Sequence, residues 1–217
     1  FTALLLSLSL ITKLSKTTAG EFAAMTEKSA PVANDKLMIN DSESSNAVKY
    51  VLISNIGGMK KISSNALSSV SSLTISGLAP GKRYKLILNL LQNTSAGAQY
   101  IQFNSDTGSN YSWATDSYHH TGTFASGAES GASYIHLNNS SETPTASSNS
   151  QYELTFQTVH GNNNTTLLIG FGNYYVTGYF IGVDISGKYT GSSQLSSITI
   201  GTSAGTLSGT AVLYELL

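Results

Sequence analysis

From Leu73 to the end of the chain, apolar and polar residues alternate in short runs. Alternation with a period of two places every second side chain on one face, which is typical of half-buried β-strands. Two segments show it clearly: "YKLILNL", with Tyr84, Leu86, Leu88 and Leu90 in phase, and "YELTFQTV", with Tyr152, Leu154, Phe156 and Thr158 in phase. The last two thirds of the chain are therefore predicted to be uniformly β.

Clusters of Gly, Ser, Asn and Pro separate these runs, as in "APGK", "NTSAGA", "ASGAESGA" and "SGKYTGSS". The predicted strands are Leu73–Ile75, Arg83–Leu91, Gln99–Asn104, Tyr118–Phe124, Ser133–Leu137, Tyr152–Val159, Thr166–Gly170, Tyr174–Ser186, Ser196–Ile200 and Thr210–Leu216. Many short strands with turns between them indicate two antiparallel sheets packed as a jelly-roll-like β-sandwich. We assign this domain to residues 73–217.

Residues 1–72 have a different pattern and are predicted to form a separate N-terminal segment with α/β content. The opening "FTALLLSLSLITKL" lacks a preceding basic region and is too short to span a bilayer, so we expect a buried or intersubunit element. Glu21 to Lys28 contains good helix formers. Two short strands follow around the polar loop "DSESSNA", and residues 59–72 are interpreted as a connector.

Composition narrows the possible functions. Only 11% of residues are charged, against about 25% in an average soluble domain. A low charge content indicates surfaces that are covered by other protein chains, since free monomers depend on charge for solubility.

Residues 1–73 contain seven lysines and five acidic residues, and residues 74–217 contain four basic and seven acidic residues. Neither part has the basic patch that nucleic-acid binding requires. Without cysteine, disulfides and thiolate metal sites are excluded.

The stretch "FNSDTGSNYSW" has some features of a calcium loop, because Asn104, Asp106 and Gly108 alternate. An EF-hand needs glycine at its sixth position and glutamate at its twelfth, but counting from Asn104 gives Ser109 and Thr115. The stretch is therefore predicted to be a hairpin turn with Gly108 at positive φ, and no metal or other cofactor is expected.

Little in the sequence indicates catalysis. It contains no phosphate-binding glycine loop, its one G-x-S-x-G match is "GTSAG" at Gly201–Gly205, and no spacing favours a pair of its carboxylates. His119 and His120 are predicted to share a strand, where they would face opposite sides of the sheet. We expect a protein that is not an enzyme. An alternative chemistry is sugar recognition by the polar and aromatic cluster Asn110, Tyr111, Trp113 and Tyr118, for which core packing of the aromatic rings is the competing interpretation.

Two stretches resemble known proteins. The segment "FAAMTEKSAPVANDKLMINDSESSNAVKYVLISNI" resembles a short module of tailed-bacteriophage structural proteins. The positions that match its frame are Phe22, Lys28–Pro31, Asp35, Leu37, Ile39, Asp41, Ser42, Lys49 and Ser54–Ile56. The segment from Leu73 to Trp113 and the closing "SGTAVLYELL" resemble β-sandwich modules of phage virion proteins.

These resemblances imply a non-enzymatic building block of a phage particle, such as a tail fibre, a head fibre or a decoration-type appendage. They imply a homotrimer located in the virion, attached to other virion proteins through its N-terminal segment. No nucleic-acid partner and no membrane insertion are expected. The alternative is a receptor-binding tip that recognises host surface glycan.

Overall fold

The computed structural model describes residues 36–41, 47–52, 58–158 and 165–217. The chain divides into two compact units between Ile56 and Gly57. The predicted helix at Glu21–Lys28, the apolar run before it, and the motif residues Phe22 and Asp35 lie outside the described residues.

The first unit contains an antiparallel hairpin. Its strands are β1 (Lys36–Asp41) and β2 (Ala47–Leu52), and their register pairs Leu37 with Val51 and Ile39 with Lys49. The two short strands predicted from the alternating pattern around the polar loop are thus confirmed.

The second unit consists of two antiparallel sheets. In spatial order, the strands of the larger sheet are β3 (Met59–Val70), β14 (Leu207–Leu216), β5 (Arg83–Asn93), β10 (Asn149–Thr158), β11 (Thr165–Val176), β12 (Tyr179–Thr190), β7 (Tyr111–His119) and β8 (Phe124–Ala132). Those of the smaller sheet are β4 (Ser72–Ser76), β13 (Ser197–Thr202), β6 (Gln99–Phe103) and β9 (Ile135–His136). The described residues contain no helix, and therefore no helix that could span a membrane. The prediction of a mainly β fold with antiparallel sheets is confirmed.

One hydrophobic core draws on both sheets. Phe156 of the larger sheet contacts Phe103 of the smaller one, with ring centroids 5.4 Å apart. Ile101 and Ile200 of the smaller sheet and Leu86 and Leu154 of the larger one are fully buried. Because alternate residues of each strand point toward this core, the arrangement is consistent with a β-sandwich.

The strand pairs are nested along the chain. β3 pairs with β14, β4 with β13, β5 with β10, and β6 with β9, so that each earlier strand pairs with a correspondingly later one. β7 and β8 are inserted inside this series, and so are β11 and β12. Both insertions extend the larger sheet beyond β10.

The alternation predicted for β5 breaks near its end. Leu90 was expected to face inward with Leu86 and Leu88, but it is exposed and has a φ of 51°. Both neighbouring strands change register at this point, which identifies a β-bulge. Because the bulge adds one residue, Leu91 takes the inward position instead.

Three predicted boundaries are wrong. Residues 59–70, interpreted as part of a connector, form strand β3, which pairs with β14 at the edge of the larger sheet. Leu67 is its one buried apolar side chain, so its pairing depends mainly on backbone hydrogen bonds that leave little hydrophobic signal in the sequence.

The second error concerns β7 and β8. The segment predicted as a strand from Tyr118 to Phe124 contains the turn between them, with Gly122 at positive φ. The cluster "ASGAESGA", predicted to separate strands, forms most of β8 instead. The third concerns Tyr174, which continues β11 instead of starting a new strand, because the turn lies at Thr177–Gly178.

Candidate interaction surface

The four residues proposed for sugar contact lie on or next to strand β7 but do not share a surface. Tyr111 and Trp113 point into the core, at 1% and 5% exposure, whereas Tyr118 points outward at 48%. Asn110 precedes the strand, and eight residues of extended chain separate it from Tyr118 by about 25 Å. Alternation along one strand therefore divides this cluster between two faces.

Tyr111 has a structural role. Its hydroxyl oxygen lies within hydrogen-bond distance of the carbonyl oxygens of Phe103 (3.0 Å) and Asp106 (2.9 Å), which share its one proton, and it accepts from the backbone N–H of Phe103. Burial raises the pKa of Tyr111 well above its ordinary value. The side chain thereby holds the start of the larger sheet's β7 against the end of the smaller sheet's β6.

Trp113 packs against His136 of the smaller sheet, with ring centroids 4.5 Å apart. Burial lowers the pKa of His136, so the imidazole is neutral at pH 7. The pair belongs to the interior between the sheets and offers no ring face to a ligand.

The Asn104–Asn110 stretch connects the two sheets, which distinguishes it from the predicted hairpin within one sheet. Asp106 organises it: one carboxylate oxygen accepts from the N–H of Gly108 (2.8 Å), and the other from Asn110 (2.8 Å) and from the hydroxyl of Tyr189 (3.1 Å). The N–H of Gly108 contributes most to lowering the pKa of Asp106.

Burial, with help from the Asp106 carboxylate, raises the pKa of Tyr189 to about 12. The positive φ values in this stretch belong to Asn104 and Ser105, whereas they were predicted for Gly108.

The hairpin of the first unit contains four of the residues assigned to attachment. Leu37, Ile39 and Asp41 occupy alternate positions of β1, and Lys49 of β2 is the register partner of Ile39. The described backbone thus places these four positions on one hairpin.

His119 and His120 each contact a neighbouring group of the protein. His119 Nε2 lies 2.8 Å from a carboxylate oxygen of Glu142, and His120 Nδ1 accepts from the N–H of Phe180. β7 ends at His119, so His120 lies in the turn and not in the strand that was predicted to carry both. Within the ranges described, no three His, Asp or Glu side chains are grouped so that they could hold a metal ion.

The feature most relevant to function lies on the outer face of the larger sheet, the face that points away from the core. Three large apolar side chains of β11 project from it: Leu167, Ile169 and Phe171 are 50%, 63% and 56% exposed. We call these three residues the apolar stripe. β11 is flanked by strands on both sides and is not an edge strand, so the stripe crosses the middle of the sheet.

Shallow hollows flank the stripe on both sides. One lies over β12 and β7, where Ser186 and Ala114 are small, and another is lined by Arg83, Thr155 and Gln157. A third borders Phe171 next to Ile87 and Glu153. Large exposed apolar side chains next to shallow hollows are typical of surfaces that bind another protein.

Charged groups are placed asymmetrically along the stripe. In the register, Lys188 of β12 is the partner of Leu167 at one end, and Asp184 is the partner of Phe171 at the other. Asp184 is also the direct partner of Asp116 on β7, and like charges at such positions repel. The hydroxyl of Tyr118 donates to Asp184 (3.0 Å).

Sequence reasoning missed the apolar stripe, although a signal for it exists. In "LLIGFG", Leu167, Ile169 and Phe171 alternate with Leu168, Gly170 and Gly172, a pattern that predicts the side with the large residues to face the core. The structure reverses this, because a Cβ at Gly170 would collide with Leu154, and one at Gly172 with Tyr152. Glycine is needed on the inward side, so the large residues face outward.

No protein-family model matches this chain, and a search of curated proteins finds no relative.

Proposed function

We propose that this protein is a non-enzymatic structural component of a tailed-bacteriophage particle, a fibre or decoration-type appendage located in the virion. Its mechanism is passive: the sheet face and the N-terminal segment bury apolar surface against copies of the chain and against another virion protein. The phage assignment rests on the motifs at 22–56 and 73–113, and the assembly role rests on the structure.

The observation that carries the assembly role is the apolar stripe. Because Leu167, Ile169 and Phe171 are already partly buried, covering the rest of each would contribute roughly half of the 1.5–3 kcal/mol that full burial of such a side chain gives. A central strand that exposes three such residues in a row indicates a face that another protein covers.

The nested pairing supports a jelly roll as the finer fold. A jelly roll forms when a long antiparallel ribbon wraps, so that its first strand pairs with its last and its second with the one before last. The pairs β3–β14, β4–β13, β5–β10 and β6–β9 follow this order. Appendage proteins with such sandwiches are built for assembly, in the family that the sequence resembles.

The N-terminal segment is proposed as the attachment element, an α/β module made of the helix predicted from the sequence and the hairpin. An isolated two-stranded hairpin is marginally stable in water, so β1 and β2 would gain stability by adding to a sheet of a partner. We expect that deleting residues 21–56 leaves the second unit folded, by circular dichroism, and abolishes incorporation into particles. Normal incorporation of the truncated chain would contradict the attachment role.

Immunogold electron microscopy tests the virion assignment. Antibody raised against the full chain should label, at one repeated position, purified particles of the phage that encodes it. Protein that is abundant in the lysate but absent from purified particles would refute the proposal.

The receptor-binding alternative retains one specific observation. Tyr118 and Phe124 form an exposed edge-to-face pair at the outer end of the β7–β8 hairpin, and such rings stack on sugars. A glycan array with the full chain, compared with Tyr118→Ala, tests it. Binding that depends on Tyr118 would establish this role, and absence of binding would remove it.

A further inference from the structure

We infer that the apolar stripe docks on the same stripe of a second copy, in an antiparallel arrangement about a two-fold axis that passes beside Ile169. This inference rests on the proposed assembly role and deepens it by naming the partner and the geometry. It differs from the trimer that the sequence resemblance implies.

The first argument is the order of residues along the stripe. A two-fold axis lying in the face and perpendicular to β11 at Ile169 maps the strand onto itself in reverse. Leu167 then faces Phe171 of the second copy, and Ile169 faces its own equivalent. Apolar groups meet apolar groups along the whole stripe, as an isologous contact requires.

The second argument is charge. On the neighbouring strand β12, Ser186 is the register partner of Ile169, and Lys188 and Asp184 lie two residues to either side of it. The same axis therefore places Lys188 of each copy opposite Asp184 of the other. Within one copy these two positions are separated by about 13 Å along the strand, so they do not pair.

The third argument is that Lys188 and Asp184 have no ion-pair partner within the described chain. The ion pairs among the described residues are Lys82–Glu215, Lys85–Glu153 and His119–Glu142. Asp116 and Asp184 face each other as two carboxylates, with the Tyr118 hydroxyl as a donor to Asp184. A lysine from a second copy would compensate this repulsion, which makes the face complementary to itself.

The opposite relative orientation fits less well. An axis parallel to β11, placed between β11 and β12, would set Phe171 against Asp184 of the second copy and Leu167 against Lys188. That arrangement forms no ion pair and buries a carboxylate against an aromatic ring, which is costly without a partner.

The face is large enough for a stable dimer. Eight strands at about 4.8 Å spacing and ten residues at about 3.3 Å each give a surface on the order of 1,000 Å². A standard interface buries about 800 Å² on each partner.

Charge reversal in the full chain tests the inference. Wild-type protein should have, by light scattering, about twice the 22.8 kDa mass of one chain. Lys188→Asp and Asp184→Lys should each weaken the dimer by at least about tenfold in Kd, because each places like charges opposite one another. The double variant Lys188→Asp/Asp184→Lys should restore dimerisation. Lys60→Asp, the same charge change on the edge strand β3, is the matched control and should leave the dimer unchanged.

A second measurement does not depend on affinity. Because the chain has no cysteine, Ile169→Cys introduces a single thiol next to the axis, and a short bismaleimide should cross-link it into dimers. Ser76→Cys, on the smaller sheet, is the control and should remain uncross-linked.

A monomeric or trimeric mass, no rescue by the double variant, or equal cross-linking of both cysteines would overturn the two-fold contact. These results leave the virion assignment untouched, because immunogold labelling decides it separately. Unlabelled particles together with a charge-reversible dimer would refute the assignment and leave the contact standing.

Discussion

The outer faces of the two sheets differ. In the smaller sheet, all six residues of β13 are buried, including Thr199 and Gly201 on the outward side. The Tyr100 ring covers Gly201 and stacks on Tyr134 at 4.6 Å, and Thr199 exchanges a hydrogen bond with Thr74 (2.9 Å). The smaller sheet thus closes its outer face with its own small polar residues and tyrosines.

The larger sheet leaves its outer face uncovered within the described chain and places the apolar stripe at its centre. Both faces belong to one unit with one core. The difference teaches that outward apolar residues in this protein are not an incidental result of a β-rich composition. The chain uses Ser, Thr and Gly outward where a face is complete in itself, and Leu, Ile and Phe where a partner is expected.

The largest expected effect is a difference in stability between substitutions on the inner and outer sides of the larger sheet. Leu154→Ala removes a fully buried side chain and should lower the free energy of unfolding by about 2–5 kcal/mol. Ile169→Ala, on the outer side, should change it by no more than about 0.5 kcal/mol when measured by urea unfolding at concentrations where the chain is monomeric. Equal losses would mean that the stripe is part of the core of a single chain.

A smaller effect should distinguish the two outer faces. Tyr100→Ala removes the ring that covers β13 and should cost about 1–2 kcal/mol. Tyr175→Ala, an exposed tyrosine on the larger sheet, is the matched control and should cost less than half as much. If the two variants were equally stable in urea, the smaller sheet would not be closing its own face.

The interior between the sheets should respond to pH. In the unfolded chain, the pKa of His136 is about 6.5. In the folded protein, burial lowers the pKa of His136 below that value. The unfolded state therefore binds the proton first, and the stabilisation present above pH 6.5 is lost as the pH falls through the folded pKa.

The urea midpoint should decrease from pH 7.5 to pH 5 in wild type and less in His136→Gln. The single tryptophan, Trp113, packs on His136, and its emission should change over the same pH range. An identical pH dependence in the variant would contradict this role of His136.

No effect is expected from metal removal. Both carboxylate oxygens of Asp106 already accept hydrogen bonds from Gly108, Asn110 and Tyr189. Excess EDTA should leave the melting temperature unchanged, with calcium re-addition as the control. A decrease of several degrees that calcium reverses would revive the calcium-loop interpretation.

Much of the fold could be predicted from the alternation alone. Strands β5, β6, β10, β13 and β14 were located because their inward side chains are large and their turns are marked by Gly, Asn and Ser. β3 was missed because an edge strand with one buried apolar residue has almost no periodic signal. The position of Leu90 could not be predicted, because the bulge depends on both neighbouring strands.

The candidate surface was less predictable than the fold. The sequence makes Tyr111 and Trp113 candidate ligand contacts because rings near polar residues are typical of sugar sites, yet their positions on β7 direct both side chains inward. Lys188 and Asp184 carry no motif. They matter through the register that aligns them with Leu167 and Phe171.

The amino-acid sequence by itself determined that this protein is built of antiparallel strands, because period-two alternation and turn residues act locally. Only the tertiary structure decided which side of β11 faces the core, since Gly170 and Gly172 must lie where Leu154 and Tyr152 leave no room for a side chain. That steric choice, made by residues distant in the chain, turns Leu167, Ile169 and Phe171 outward.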